Sequence, residues 1–522
     1  MKKTKQFTSL FAFIIFLAAA LFLRLPYFFI DVIDWDESTF IVIGQSILDG
    51  HLPYTETWDL KPPLLPATFS LFILFFGKNI AAIRMGGAMC VALTSWITYQ
   101  IGRELRSIQH GLIAGFLTTA SLSLIHSDAS ATMSEHIAIV PLMCGIWITI
   151  NQKFSSKSVF ISGFLLTASA LIRLNLAYVV IAIGIAITAF PTFHCLRTKQ
   201  YLKNALATGI CFTCGGALIL SLTLLPYALT NQSTLWWKSV VLAPLSYSNS
   251  RFTWSEALTV HIKNIIELIT DWQPIPPSSA STTAVLLAAG TFSGIFILIL
   301  NWKNYAADEK RGLAILCISF LGTSISILKS GQAHFHYLFQ ICPFLSFFAA
   351  EFYTPLTVRS RLPITLTIGA FISTLIFSTP CIAYKSNFDR IIQGEPLQTG
   401  PSFNIAKYLE KKNLAKNSVF MTKHHLTYWL IDQQPPTPSS THPSNLAKDF
   451  LLQHSMYPGA TPYLALKEVF DLHPRFVAAE QNISYFRKYP KALQLFKTTI
   501  QEQYKLDTTI DNINIYQRRQ RN

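Results

Sequence analysis

Apolar stretches of about twenty residues, repeated along most of the chain, restrict the fold more than any other feature of the sequence. They fall at 7–30, 80–102, 107–125, 135–151, 158–172, 174–192, 205–229, 281–302, 312–328, 334–351 and 362–381. Each approaches the length that crosses ~30 Å of hydrocarbon. The set predicts a mainly α fold, a polytopic membrane helical bundle of about eleven spans. The pair 158–172 and 174–192 reads either as two spans or as one long bent element, and the second choice inverts everything downstream. Of the 522 residues, 51% are hydrophobic and 13% are charged. Soluble domains carry about 25% charged residues, so three or four soluble domains are not the expectation.

The net charge of +15 does not signal nucleic-acid binding, because the basic residues collect in short turns between apolar runs rather than on one face interleaved with aromatics. With Lys2, Lys3 and Lys5 placed inside, the turns on that side carry Arg103 and Arg106, then Lys153 and Lys157. Next come Arg197, Lys199 and Lys203, then Lys303, Lys310 and Arg311, and finally Arg359 and Arg361. Every second crossing therefore ends on a basic turn, as a cytoplasmic N-terminus requires. The first apolar run continues past the small residues Ala18 to Ala20 to about Ile30, broken only by Arg24, and predicts a retained helix rather than a cleaved signal peptide. Of the eight cysteines, Cys90, Cys144, Cys211, Cys214, Cys317 and Cys342 lie inside apolar runs. The Cys211/Cys214 pair sits mid-span without a second pair, so helix packing rather than zinc or redox chemistry is expected.

This topology places three segments on the extracytoplasmic side: a loop at 31–79, a loop at 230–280 and the tail 382–522. Residues 1–381 form the predicted membrane core, with 31–79 as its catalytic outer loop. The tail is predicted to be a small extracytoplasmic α/β domain, with helices at 403–412 and 445–453 and strands at 418–422, 476–479 and 512–516. The Pro/Ser stretch QQPPTPSSTHPS between them reads as loop. In the 230–280 loop, Trp236, Trp237, Trp254 and Trp272 fit an interfacial aromatic belt better than a sugar-stacking platform.

The first outer loop holds the chemistry. Asp31, Asp34, Asp36, Glu37, Asp49, Glu56 and Asp59 crowd into it beside Lys61. Asp36 and Glu37 precede a short helix whose apolar positions Phe40, Ile43, Ile47 and Leu48 suggest an amphipathic element lying on the membrane surface, stopped by Gly50. A second helix opens at Pro62–Pro63 and runs to Phe76, too short to span comfortably. Taken singly, Asp36 and Glu37 fit helix capping and Lys61 fits a snorkelling side chain. Together they form an acidic group beside a lysine at the outer lipid boundary.

These residues also carry a resemblance. DE after the first span, then WDxKPPL, then Arg84 in AAIRMGGAMC, resembles the bacterial glycosyltransferases of the C-type fold (GT-C). Within these the sequence is most similar to the family 39/83, PMT-like group that includes the aminoarabinose transferases. SEHIAIVPL, FLLTASALIRLNLA and QAHFHYLFQICPF follow in the same order, the last resembling the group's HY-x-x-x-x-x-P element, and the match spans about residues 5–350.

The resemblance implies sugar transfer on the extracytoplasmic face of the cell (inner or plasma) membrane, from a polyprenyl-phosphate-linked donor to an acceptor hydroxyl of an envelope lipid, glycan or protein. In that frame Asp36 is the general base and Glu37 orients donor or acceptor. Lys61 meets the leaving lipid phosphate, aided by Arg84, Arg173, His336 and Tyr337. Asp59, Glu135 and His334 support acceptor or structure. His334 and His336, as i, i+2 positions on a helix, would not share a face, so joint metal ligation is not expected. No cofactor or metal is demanded, although a divalent ion is compatible with the residues. The rivals are a secondary transporter or lipid-linked-glycan flippase, an oligosaccharide ligase of the same fold, and a receptor whose tail binds a partner. Transporters place ionisable groups near the midplane of repeated halves, unlike the outer-loop carboxylates here. Loss of 395–522 would abolish a receptor's binding, whereas an enzyme is expected to keep residual transfer in its membrane core.

Overall fold

The computed structural model of the chain describes residues 2–151, 155–189, 199–248, 251–270, 278–359, 379–415, 418–481 and 483–520. It divides into two compact units, Met1–Phe28 with Arg84–Thr223 and Arg251–Gln393, and Phe29–Ile83 with Leu224–Ser250 and Gly394–Asn522.

The first unit is a helical bundle. Across both units, in chain order, the first helices are α1 (Lys2–Arg24), α2 (Trp35–Leu48), α3 (Leu64–Phe76), α4 (Ile80–Leu105), α5 (Ile108–Leu124), α6 (Ser134–Asn151), α7 (Ser156–Ala170), α8 (Ala177–Ala189) and α9 (Lys199–Leu229). There follow α10 (Ser233–Trp237), α11 (Ala243–Ser248), α12 (Trp254–Thr270), α13 (Ser279–Asn301), α14 (Ala307–Lys329) and α15 (Cys342–Arg359). Among the described residues, six helical stretches are long and apolar enough to cross a membrane: Ser9–Tyr27, Ile80–Leu105, Ser134–Asn151, Lys203–Leu229, Ser279–Asn304 and Ala307–Lys329. The predicted spans at 107–125, 158–172 and 174–192 fall on the shorter α5, α7 and α8; that at 334–351 opens instead with the 3-10 turn Phe335–Ile341, α15 starting only at Cys342, and most of 362–381, like Trp272, lies outside the described residues.

The ambiguity at 158–192 is resolved as two helices, because the chain turns through a 3-10 segment at Leu174–Leu176. Small residues let these helices approach closely. A Cβ at Gly163 would collide with the Phe212 carbonyl, bringing α7 against α9, and one at Gly294 would strike the Phe348 carbonyl, bringing α13 against α15. Within the loop at 230–280, the described residues are largely helical, forming α10 to α12. Trp236 is buried, whereas Trp237 and Trp254 are exposed and remain compatible with a belt.

The second unit joins α2, α3, α10 and α11 to a four-stranded sheet. Its strands are β1 (Val419–Met421), β2 (Phe476–Glu480), β3 (Tyr504–Ile510) and β4 (Ile513–Arg518), in the order β1-β2-β4-β3. β1 pairs parallel to β2 with Phe420 opposite Val477, and the remaining pairings are antiparallel. Helices Pro462–Asp471 and Pro490–Gln503 bury Leu466, Val469, Phe470 and Phe496 against Phe420, Val477 and Ala479. The expected helix at 403–412 is observed as Pro401–Leu409 with a 3-10 extension, and that at 445–453 as a 3-10 turn followed by Asp449–Ser455.

The expectation for α2 needs correction. It is not a surface helix with one apolar stripe: Phe40 and Ile43 are buried, but so are Thr39, Ile41, Val42 and Gly44, while Leu48 is exposed. A helix that is apolar around most of its circumference is a core helix. Gly44 allows the fit, because a Cβ there would lie 2.9 Å from the Phe69 Cβ of α3. On another side Trp429, in the helix Leu426–Leu430, donates to Gln45 at 3.1 Å. α3 starts two residues after the expected Pro62, with Pro63 as its N-cap, and ends at Gly77, whose φ of +91° suits glycine.

Candidate functional site

The site in the second unit begins with the cap of α2. Asp34 is extended and its carboxylate accepts the Asp36 backbone N–H at 2.7 Å. That leaves Asp36 and Glu37 in the first helical turn, where the helix dipole favours negative charge. Asp36 Oδ2 lies 3.4 Å from Lys61 Nζ and Asp36 Oδ1 lies 3.2 Å from His442 Nε2. The ammonium of Lys61 also stands 5.8 Å above the centre of the Phe40 ring. Glu37 is 1% exposed, so it faces protein rather than water.

Lys61 is aimed by the segment that leads to α3. Its backbone N–H donates to Asp59 at 3.1 Å and its carbonyl accepts from the Tyr54 hydroxyl at 2.7 Å. Tyr227 donates to the Pro53 carbonyl at 3.1 Å, and Trp58 donates through its indole to Ser239 at 2.9 Å and through its backbone to Thr441 at 3.1 Å. Ser239 sits on a single π-helical turn, Lys238–Leu242, inserted between α10 and α11. Burial pushes the Asp59 carboxyl above its ordinary range, with Lys61 and His442 acting in the opposite sense. Asp36, Lys61 and Asp59 are thus brought together, as the sequence suggested. His442 and the Trp58 anchors were not foreseen.

The first unit holds a polar cluster of its own. Glu135, fully buried at the start of α6, pairs with Arg173 at 2.5 Å. Arg173 donates to Ser134 at 2.7 Å and to Asn175 at 3.3 Å, and its guanidinium lies 4.4 Å from the centre of the Tyr337 ring. A buried arginine so surrounded meets the cost of leaving water. His336 Nδ1 approaches Asp128 at 3.1 Å, and its Nε2 lies 3.8 Å from Glu135. Burial works to raise the Asp128 carboxyl, but hydrogen bonds and charge from His126 and His336 hold it well below the usual carboxylate range. Asp128 and His126 were absent from the sequence reading.

His334 and His336 correct a second expectation. Their rings stack with centres 5.4 Å apart and planes 3° from parallel. The segment is not α-helical there: His334 is extended, and a 3-10 turn, Phe335–Ile341, precedes α15. The i, i+2 argument assumed a helix that begins later. Arg84, buried on α4, donates to the Tyr27 carbonyl, and Arg24 donates to the carbonyls of Ala129 and of Ala131, the latter at 2.9 Å. A cleft of about 650 Å³ in the same unit is lined by His126, Asn264, Glu267, Leu268, Thr270 and Phe335.

A family model described as dolichyl-phosphate-mannose-protein mannosyltransferase matches residues 60–215. No curated protein sequence matches the chain. Among solved structures, ArnT from Cupriavidus metallidurans in its apo state is similar with a TM-score of 0.59 at 10% identity, over 96% of this chain and 97% of that one. The same enzyme bound to undecaprenyl phosphate gives the same TM-score at 11% identity. The archaeal oligosaccharyltransferase AglB from Archaeoglobus fulgidus, in complex with an inhibitory peptide and a dolichol-phosphate, is similar with a TM-score of 0.52 at 11% identity. That match covers 99% of this chain and 75% of AglB. The chain therefore has the GT-C fold of membrane glycosyltransferases, a multi-pass helical bundle with a small C-terminal sheet.

Proposed function

We propose that this protein transfers a glycosyl group from a polyprenyl-phosphate donor to an acceptor hydroxyl on the extracytoplasmic face of the cell membrane. The observation that carries the reading is the Asp36–Lys61 pair at 3.4 Å, a carboxylate and an ammonium held by the starts of two short helices. The acceptor oxygen attacks the anomeric carbon while the bond from that carbon to the phosphate oxygen breaks, which inverts the configuration. The hydroxyl proton passes to Asp36. The polyprenyl phosphate departs as an anion, and Lys61 supplies the fixed positive charge it needs. In the membrane unit, Arg84, Arg173, His336 and Tyr337 are candidates for contact with lipid phosphate, and Glu135 and His334 for their support.

The likeness to ArnT, solved with undecaprenyl phosphate, supports a lipid-phosphate donor, and so does the dolichol-phosphate complex of AglB. The AglB likeness over 99% of this chain also favours a second reading in which the donor carries an oligosaccharide. Purified protein given polyprenyl-phosphate monosaccharides and lipid-linked oligosaccharides in parallel distinguishes the two. In that assay Asp36→Asn is expected to lower transfer by about a hundredfold or more without shifting the melting temperature. An Asp36→Asn protein that transfers at the full rate would remove the base and the reading with it.

A further inference from the structure

We infer that His442 is a positioning residue for Asp36, fixing which oxygen of the carboxylate serves as the base; this rests on the glycosyl-transfer reading above. His442 lies in the QQPPTPSSTHPS stretch, which the sequence presents as loop. The structure ties that loop down with hydrogen bonds. Thr437 and Ser440 cap each other, with the Thr437 N–H donating to Ser440 Oγ at 3.0 Å. His425 Nε2 meets the Ser440 carbonyl at 3.0 Å, Thr441 accepts from the Trp58 backbone, and the Asn445 N–H donates to the His442 carbonyl at 3.1 Å. The imidazole itself is 9% exposed and stands edge-on to Trp35.

The direction of the His442–Asp36 hydrogen bond follows from its other nitrogen. The Ser444 backbone N–H, which can only donate, points at His442 Nδ1 at 3.1 Å. Nδ1 is therefore the acceptor, and in the neutral ring the hydrogen sits on Nε2 and is donated to Asp36 Oδ1. The two carboxylate oxygens thus have unlike partners, a neutral N–H on Oδ1 and the Lys61 ammonium on Oδ2. An incoming donor phosphate competes for Lys61. As the ammonium turns to phosphate, Oδ2 is presented to the acceptor hydroxyl, while His442 stops the carboxylate from rotating about its Cβ–Cγ bond. Among the charged or titratable groups near Asp36 are Lys61, His442 and Asp59, with Lys448 beside Asp59 and Asp34 and Glu37 at its own helix end. Losing the His442 donor removes a hydrogen bond to the charged form, so the acid limb of activity moves to higher pH.

The test compares His442→Phe, which keeps an aromatic ring without a donor, with His442→Gln, whose amide N–H reaches the Nε2 position. The Phe variant is expected to lose about tenfold to a hundredfold in kcat, with KM for donor and acceptor little changed and the acid limb displaced upward. The Gln variant should recover most of that loss. An active wild-type enzyme whose Phe variant keeps its kcat and pH profile overturns the inference and leaves the transfer reading standing. A wild-type enzyme inactive with every polyprenyl-phosphate sugar removes both. Should the Phe variant fail to fold, Asn replaces it, because its shorter amide reaches only the Nδ1 position. The expectation is then an active Gln and an impaired Asn variant, and equal activity in the two overturns the role.

Discussion

Lys61 owes its place to backbone as much as to charge. Both its N–H and its carbonyl are hydrogen-bonded to side chains of its own loop, so its ammonium is directed before any substrate arrives. Lys61→Ala should therefore leave the loop intact and weaken donor lipid binding by about tenfold to a hundredfold, the loss of one charge-assisted hydrogen bond. Titration of the purified variant with polyprenyl phosphate checks this, and unchanged affinity would count against phosphate recognition at Lys61. Asp36, Asp59 and Lys61 were legible in the sequence because they fall within one short loop whose order resembles a known group. His442 was not, since it meets Asp36 across 406 positions of chain, and a lone histidine among prolines and serines has no periodicity to mark it. Arg173 was legible as costly, but its partner Glu135 could be identified only once α6 and the turn after α7 were seen together.

Among the elements, those that lipid dictates were the easiest to anticipate. A span must be long and apolar, and α4, α6, α9, α13 and α14 meet that demand within a few residues of the expected bounds. α2 obeys a different constraint. Taking Phe40, Ile43, Ile47 and Leu48 as a stripe overlooked Ile41 and Val42 on its other faces, which make it a core helix. Gly44 then leaves α2 little room for a larger side chain. Gly44→Val should cost about 1–3 kcal/mol through overpacking against Phe69, read as a lower melting temperature in detergent, whereas an unaltered melt would mean that the two helices can part. Strand β3 escaped notice for the opposite reason: YKLDTTI has no clean alternation because it is an edge strand with half its residues in water.

For the whole molecule, the division expected from hydropathy, a membrane core with a separate tail, differs from the grouping by contact, in which 29–83, 224–250 and 394–522 form one compact unit. Hydropathy reports what each segment faces, not which segments share a core. The residual activity expected of a protein lacking its tail is accordingly revised. Ending the chain after Gly394 removes His442, Trp429 and the strands, so the truncated protein should transfer nothing, and its 31–83 segment should be cut far faster by protease. Persistence of transfer in that truncation would show that the outer loop can organise itself.

The junction between Asp31 and Gly400 carries a consequence for how the protein is made. Ile30 and Thr399 form a short parallel bridge, with Asp31 donating its N–H to the Thr399 carbonyl at 2.9 Å. The Asp31 carboxylate accepts the Ser402 N–H at 2.8 Å, against a Gly400 at φ +124° that has no room for a Cβ. Residues inserted among the first thirty-odd thus wait for partners translated some 370 positions later. On the glycosyl-transfer reading, Asp36 is braced only after the segment carrying Thr399, Gly400 and His442 has been translated.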